Sequence, residues 1–239
     1  MTAPRVAARP RRGLARPFED RTATDTEVAS EPESLGSGAA SAIGLLGGTF
    51  DPPHVGHLWL ATLAADQLGL GRVLLVPAGQ PPHKAGRPLS SAADRLRMTR
   101  LAIGDDPLME LSGIELERPG PSYTIETVEE LLRTYGDRTR LVLLMASDTL
   151  AGIDAWREPD RLLSLVEWAI GTRPGTPLPS RAELQERFGA AADRIHLLDG
   201  PSLDVSSSQI RRRVAAGRAI RYLVPRAVEE LIVDRGLYR

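Results

Sequence analysis

The sequence predicts an α/β fold in which helices flank an open parallel sheet. From residue 41 onward, short apolar runs alternate with segments of helical periodicity, which is typical of parallel strands joined by crossover helices. A glycine pair, Gly47 and Gly48, ends the first run and leads into a helical segment. The length of 239 residues and the apolar content of 42% fit one large globular domain or two small ones.

The apolar runs predict the strands, and the segments between them predict the helices. Strands are expected at 43–46, 73–77, 108–111, 141–146 and 167–171, with a weaker one at 195–198. Helices are expected at 57–68, 92–104, 124–135, 160–165 and 181–188, and then at 207–216 and 225–233. Ser91 and Asp94 resemble a capping pair, and Pro225 suits a first helical position.

Residues 1–41 differ in composition from the rest of the chain. Five arginines and several prolines in the first 17 residues precede an acidic stretch and a Gly/Ser/Ala stretch. We expect a disordered tail here and a folded domain at 42–239. A flexible extension or a mis-assigned start codon is favoured over an Arg-rich transit peptide, and the apolar centre of a secretory signal is missing.

The overall composition narrows the classes of function. Lysine and arginine (30) nearly balance aspartate and glutamate (31), so no net charge favours nucleic acid or an anionic membrane as a partner. The sequence contains no cysteine, which excludes disulfides, thiolate metal sites and cysteine nucleophiles. No apolar run approaches the roughly 20 residues of a membrane span. We therefore expect a soluble, cytoplasmic protein, and its oligomeric state, with a homo-oligomer as one alternative, stays open.

The segment 47–57, Gly-Gly-Thr-Phe-Asp-Pro-Pro-His-Val-Gly-His, has the features of a phosphate-binding turn. Gly47 and Gly48 allow the backbone to approach a ligand, and the helix that follows offers N–H groups and a positive dipole end. His54 and His57 are three residues apart, so in a helical turn both rings can donate to a polyphosphate. A metal pair and a helix cap are the alternatives. Asp51 before proline is expected first to close the turn, with a water-mediated magnesium contact as its second role.

A second candidate segment lies near the C-terminus. Ser206, Ser207 and Ser208 stand at the start of a predicted helix, and Arg211 follows within one turn. These hydroxyls can cap the helix or bind phosphate oxygens, and the arginine fork suits phosphate. Taken alone, the segment is more typical of a serine cap followed by solvated arginines.

Together, the two segments resemble the motifs G-x-F-D-P-x-H-x-G-H and S-S-T-x-I-R of a nucleotidyltransferase superfamily. Within it, the chain is most similar to the bacterial nicotinate-nucleotide adenylyltransferases, from about residue 43 to residue 238. The similarity includes 81–84 (PPHK), 121–124 (PSYT), 148–156, 173–175 (RPG) and the ending 236–238 (GLY). It implies a Rossmann-like fold of about five parallel strands with a small C-terminal helical part. His54 argues against a phosphopantetheine adenylyltransferase, and the C-terminal motif argues against a cytidylyltransferase.

Two positions depart from the family pattern. Ala146-Ser147-Asp148 replaces the usual Gly-Ala-Asp, which adds bulk where the backbone nears the ligand. Ser208 replaces threonine and keeps the hydroxyl.

The resemblance implies transfer of AMP from ATP to nicotinate mononucleotide, with direct attack of the acceptor phosphate on the α-phosphorus. It gives His54, His57, Lys84 and Arg211 catalytic roles on the triphosphate. Magnesium is expected to arrive with ATP, and no protein metal site is expected. The ATP-binding set that we expect is Gly47, Gly48, Thr49, Phe50, His54, Gly56, His57, Ser206, Ser207, Ser208 and Arg211.

For the acceptor, the resemblance implies that Trp156 stacks on the pyridine ring, with core packing as its alternative. Thr124 and nearby amides face the carboxylate in this interpretation, and Asp148 is a further substrate contact. The loop 81–87, which carries Lys84, is expected to close over the phosphates. Rival functions are use of the amidated acceptor, a nucleotide-binding regulator without turnover, and a metal hydrolase built on His54 and His57.

Overall fold

The computed structural model describes residues 42–82, 86, 88–136 and 138–239. The predicted tail at 1–41 lies outside these residues, as does Lys84. In this part of the chain the strands are β1 (Ala42–Gly48), β2 (Arg72–Pro77), β3 (Met109–Leu111), β4 (Arg140–Ala146), β5 (Glu167–Gly171) and β6 (Ile195–Leu197). They form one parallel sheet in the order β3-β2-β1-β4-β5-β6. This confirms the α/β class.

The number of strands implied by the resemblance, about five, is wrong by one. The weaker apolar run is a full member of the sheet, because Trp168, Ala169 and Ile170 pair in parallel register with Ile195, His196 and Leu197. An edge strand needs only one neighbour, so three residues are sufficient for it.

The helices follow the predicted order closely. They are α1 (Val55–Leu68), α2 (Ala92–Ile103), α3 (Ile114–Glu117), α4 (Thr124–Tyr135), α5 (Ser147–Ala151), α6 (Pro159–Leu165), α7 (Arg181–Phe188), α8 (Ser207–Ala215) and α9 (Arg226–Asp234). The Ser91 hydroxyl accepts a bond from the Asp94 N–H at 3.0 Å, which confirms the predicted cap. Pro225 is the N-cap of α9 and not its first residue, so that placement is wrong by one position. The short helices α3 and α5 were not predicted.

Alternate strand residues supply two apolar cores, one on each face of the sheet. Ile43 and Leu45 belong to the core that includes α4, α6 and α7. Leu46 belongs to the opposite core with α1. This period of two is what a strand buried on both faces requires. A third cluster joins α8 and α9 to α2, so the C-terminal helices pack beside β2 and β3.

The order in which strands are added to the sheet reverses between β1 and β4, since β2 and β3 lie on one side of β1 and β4 to β6 lie on the other. Ligands of open parallel sheets bind at the carboxyl ends of the strands at such a point. Among the described residues, no helix has the length and apolar character that crossing a bilayer requires.

Candidate active site

A cleft of about 850 Å³ opens at the carboxyl ends of β1 and β4. It collects residues from the loop after β1, from the starts of α4 and α5 and from the loop after β5. The predicted site residues that line it are Gly47, Gly48, Thr49, His54, Gly56, His57, Thr124, Asp148 and Trp156. The loop after β1 and the residues between the start of α4 and the loop after β5, which are far apart in sequence, therefore line one cavity.

Three glycines give the β1 side of the cleft its shape. A Cβ atom at Gly47 would meet no atom within 4 Å, so this backbone borders open space. A Cβ atom at Gly56 would lie 3.0 Å from Val205 and 3.1 Å from the His54 ring, and glycine here lets α1 approach the segment before α8. Gly48 packs on the ring of Phe50, which a Cβ atom would approach to 3.1 Å.

Phe50 supports the turn from below and does not line the cleft. Its φ of 49° is in the left-handed region, which is rare for a bulky residue, and its side chain is buried. Its ring meets the His57 ring edge-on at 4.9 Å between centroids. The predicted contribution of Phe50 to ATP binding thus stays a prediction, and what the structure contains is a support for His57.

His54 and His57 form a stacked pair at the start of α1. Their ring centroids are 3.7 Å apart and their planes differ by 24°. His54 is the N-cap, with extended backbone (φ −143°, ψ 168°), so the predicted proximity arises although this residue is outside the helix. The His54 backbone N–H donates to His57 Nδ1 at 3.1 Å, which leaves Nε2 to carry the proton of a neutral His57 ring.

Burial, and secondarily the charge of Arg173, lowers the pKa of His54 from 6.5 to about 4. The ring is therefore neutral at neutral pH and acts through a hydrogen bond instead of a formal charge. Its Nδ1 atom is buried and has no hydrogen-bond partner among the described residues. A buried polar atom without a partner is costly, and a ligand in the cleft can supply that partner.

Asp51 lies beneath the turn, with a side chain that is only 1% exposed. Its Oδ1 accepts a bond from the Tyr238 hydroxyl at 2.8 Å, and its Oδ2 accepts a long bond of 3.4 Å from the Ser90 N–H. Arg211 Nη1 lies 3.9 Å from Oδ2. The carboxylate therefore joins the turn to the C-terminus, a role beyond the local turn closure expected from sequence.

The C-terminal serines make bonds within the fold. Ser206 Oγ accepts from the Gln209 N–H as the cap of α8, and Ser207 donates to the Pro52 carbonyl at 2.8 Å. Arg211 donates to the Asp51 carbonyl at 2.7 Å and to Ser208 Oγ at 3.2 Å. These bonds hold the segment against the β1 turn, and the expected phosphate contacts of the serines stay predictions.

Arg95 of α2 is a buried cation that the sequence did not single out. It is 2% exposed, and its guanidinium donates to carbonyls of both strand-end loops: Thr49 after β1, and Ala78 and Gly79 after β2. These three bonds fix the two loops relative to each other, and Nε donates a fourth bond to the Ser90 carbonyl at 3.3 Å. Its position in an ordinary amphipathic helix gave no signal of this role.

The opposite wall of the cleft carries Thr124 at the start of α4, Asp148, Trp156 and Arg173. The N-cap of α4 provides no side-chain bond. The Glu126 and Thr127 N–H groups donate to the Tyr123 carbonyl, which leaves the amides of Thr124 and Ile125 for another acceptor. Arg173 Nε pairs with Asp148 Oδ2 at 3.2 Å. Trp156 is half-buried and also packs on the core, so both of its predicted roles are compatible with its position.

Ser147 explains part of the departure from the family pattern. Its buried hydroxyl accepts from the Arg173 N–H at 3.0 Å and donates to the Thr176 carbonyl. Ala146 lines the cleft, whereas Ser147 faces the loop after β5. The added hydroxyl thus ties this loop to α5.

Glu115 of α3 is a second charged group at the cleft that the sequence did not suggest. Its carboxylate accepts from Thr127 Oγ1 at 2.8 Å, and burial raises its pKa. Ser122, which also bonds Glu115, accepts from the N–H groups of Gly79 and Gln80. This network orients the start of the loop that carries Lys84. In the described part of the chain, no three His, Asp or Glu side chains form a metal-binding group.

Comparison with known proteins agrees with the family resemblance of the sequence motifs. The Cytidylyltransferase-like family model matches residues 45–213. The chain is 45% identical over 199 residues to a Thermomicrobium roseum protein named "Probable nicotinate-nucleotide adenylyltransferase", covering 83% of this chain and 92% of that protein. A Roseiflexus protein of the same name is 46% identical, with 84% and 100% covered.

Solved structures share the fold at low sequence identity. The nicotinic acid mononucleotide adenylyltransferase of Plasmodium falciparum complexed with NaAD superposes with a TM-score of 0.67 at 18% identity, covering 83% of this chain and 97% of that one. A Vibrio parahaemolyticus structure described as a nicotinate-nucleotide adenylyltransferase gives 0.58 at 16%, with 83% and 96% covered.

Proposed function

The chain belongs to the nicotinate-nucleotide adenylyltransferases, and on that premise we propose that its cleft transfers AMP from ATP to nicotinate mononucleotide. The products are nicotinate adenine dinucleotide and pyrophosphate, a step in NAD biosynthesis. One observation carries the proposal: the stacked histidines on the β1 side and Trp156 with the start of α4 on the other side line the same cavity. Both substrates can therefore meet in it.

In this proposal the triphosphate of ATP lies on the β1 turn. The open backbone at Gly47 admits the phosphates, and His54 and His57 donate hydrogen bonds to them. Arg211, and Arg173 across the cleft, supply positive charge. Hydrogen-bond donors aimed at developing charge contribute about 10² to 10³ in rate each. Lys84 is a further proposed cation from the loop after β2.

The acceptor lies against the opposite wall. Trp156 offers a flat surface for the pyridine ring, and the uncapped start of α4 at Thr124 suits a carboxylate. An oxygen of the acceptor phosphate attacks the α-phosphorus and forms the new P–O bond. The bond from the α-phosphorus to the bridging oxygen breaks, and pyrophosphate leaves with its electron pair. The attacking oxygen is already anionic, so no general base is needed.

Magnesium enters this proposal as part of the substrate. Asp51 is buried and Asp148 is paired with Arg173, so the described acidic residues fit an ion that arrives on the ATP phosphates and keeps its waters. When bound, the ion neutralises phosphate charge. A cytoplasmic location, where ATP is abundant, belongs to the same proposal.

The substrate assignment is tested by steady-state rates with nicotinate mononucleotide and with its amide, following pyrophosphate release. We expect kcat/KM to be at least about tenfold higher for the acid, because the amides at the start of α4 favour an anion. A preference for the amide would overturn the assignment, and ATP binding without turnover would favour a regulator.

The site is tested by His57→Asn, with His196→Asn as a matched control. We expect His57→Asn to lower kcat at least about a hundredfold. His196 lies on β6 and pairs with Glu167, at the amino end of β5, so its replacement should leave kcat unchanged. Equal rates for both variants would remove His57 from the reaction.

A further inference from the structure

The second residue from the C-terminus reaches back to the site. The Tyr238 hydroxyl donates to Asp51 Oδ1 at 2.8 Å, a contact between residues 187 positions apart. The Tyr238 side chain packs against the cluster that joins α2, α8 and α9. Burial raises the pKa of its phenol, so the hydroxyl keeps its proton. The donor to Asp51 is therefore permanent at any pH where the enzyme works.

Asp51 needs this donor because little else satisfies its carboxylate. The bond from the Ser90 N–H is long, 3.4 Å, and burial without partners is costly for a charged group. Arg95 is close enough to interact electrostatically, but its guanidinium already donates to four backbone carbonyls. Among the described residues, Arg211 is thus the cation that can move onto the carboxylate.

Arg211 is bonded next to the carboxylate of Asp51 but does not form a hydrogen bond with it. Its Nη1 donates to the backbone carbonyl of Asp51 at 2.7 Å, while the carboxylate oxygen Oδ2 is 3.9 Å away. With Ser208 as a second acceptor, two of the five N–H groups of the guanidinium are used in bonds to described residues. A satisfied Asp51 leaves Arg211 in this position, whereas an unsatisfied one attracts its guanidinium onto the carboxylate oxygen Oδ2.

We propose that Tyr238 is a positioning residue for Arg211, acting through Asp51. Because the hydroxyl already hydrogen-bonds the carboxylate of Asp51, the guanidinium of Arg211 stays available to bind the departing pyrophosphate. This inference rests on the proposed function, in which Arg211 contacts that group. The ordered C-terminus is thereby a working part of the active site.

The test is a double-mutant cycle on the full-length chain with Tyr238→Phe and Arg211→Ala. Tyr238→Phe keeps the ring and removes only the hydroxyl, and Tyr222→Phe is the control, since Tyr222 is 84% exposed. We expect Tyr238→Phe to lower kcat about tenfold and to weaken inhibition by pyrophosphate about tenfold, with less than about a twofold change in KM for nicotinate mononucleotide. In the Arg211→Ala background the same substitution should change kcat less than about twofold.

The outcomes separate the two proposals. If Arg211→Ala lowers kcat but Tyr238→Phe causes its full loss in that background too, the link through Arg211 is wrong and the proposed function stands. If Arg211→Ala leaves kcat unchanged, the proposed role of Arg211 fails, and this inference fails with it. A wild-type rate in Tyr238→Phe also overturns the inference. An inhibition constant does not depend on the fraction of folded enzyme, so it decides the question even for a destabilised variant.

Discussion

Acid should destabilise this protein through His54. The pKa of this ring is about 4 in the folded chain, against 6.5 for the unfolded chain, and the His54 side chain is 4% exposed. The folded state binds the proton more weakly, so stability is retained above pH 6.5 and is lost as the pH falls from there toward 4. Linkage gives a loss of about 2 kcal/mol between pH 7 and pH 5 from this residue alone.

The measurement compares the wild-type chain with His54→Asn. Asparagine suits an N-cap and does not titrate, so the variant lacks this proton linkage and keeps other pH effects. Urea unfolding at pH 7, 6 and 5, followed by tryptophan fluorescence, gives the free energy of unfolding of both proteins. We expect the wild type to lose about 2 kcal/mol more than the variant over this range.

Parallel pH dependence of the two free energies would refute the reasoning. It would mean that His54 is protonated in the folded state as readily as in the unfolded state, and that the cleft does not desolvate it. The proposed neutral hydrogen-bond donor to the phosphates would then be a ring that is partly protonated near neutral pH.

Two further predictions concern the loops around the cleft. Gly47→Ala should change the free energy of unfolding by less than about 1 kcal/mol, because its Cβ meets no atom within 4 Å, yet it should raise KM for ATP at least about tenfold. Gly79→Ala should instead destabilise the fold by more than about 2 kcal/mol, because its Cβ would clash with the Glu115 carbonyl oxygen. Unchanged KM in the first variant would exclude close phosphate contact at Gly47. Arg95→Met should lower the free energy of unfolding in urea by about 2–4 kcal/mol, because it leaves the loop carbonyls of Thr49, Ala78 and Gly79 without their donor. Arg97→Met, at an exposed position of the same helix, should change it by no more than about 0.5 kcal/mol. Similar losses in both variants would contradict the role given to Arg95.

The fold could be predicted from sequence where local pattern decides structure. The strands are short apolar runs, and α4 and α7 have the predicted limits of 124–135 and 181–188. The misses are two short helices, because the four-residue α3 and the five-residue α5 are too short for a periodic signal. β6 was predicted as a weaker strand, since its three residues depend on pairing with β5.

The site was predictable where its residues belong to a recognisable motif. The segment from Gly47 to His57 carries its own chemistry, and its glycines, Thr49 and both histidines line the cleft. Arg95, Glu115 and Tyr238 reach the site through contacts between distant parts of the chain. Nothing in the local sequence of Arg95 and Glu115 distinguishes them from residues of an ordinary core or surface, and Tyr238 was noted only as part of the ending 236–238 that resembles the family. Arg173 was noted only as part of a family motif.

Arg95, Arg173 and Arg211 differ in how easily their guanidinium groups can bind a phosphate, because their present hydrogen-bond partners differ. Arg95 donates to four backbone carbonyls in a buried site, so releasing it would leave polar groups unpaired. Arg173 pairs with a half-exposed Asp148, and such pairs contribute only about 0–1 kcal/mol. Phosphate can therefore replace Asp148 as the partner of Arg173 at little cost. Arg211 lies between these cases, because its carbonyl bond anchors it while the nearby carboxylate competes for it.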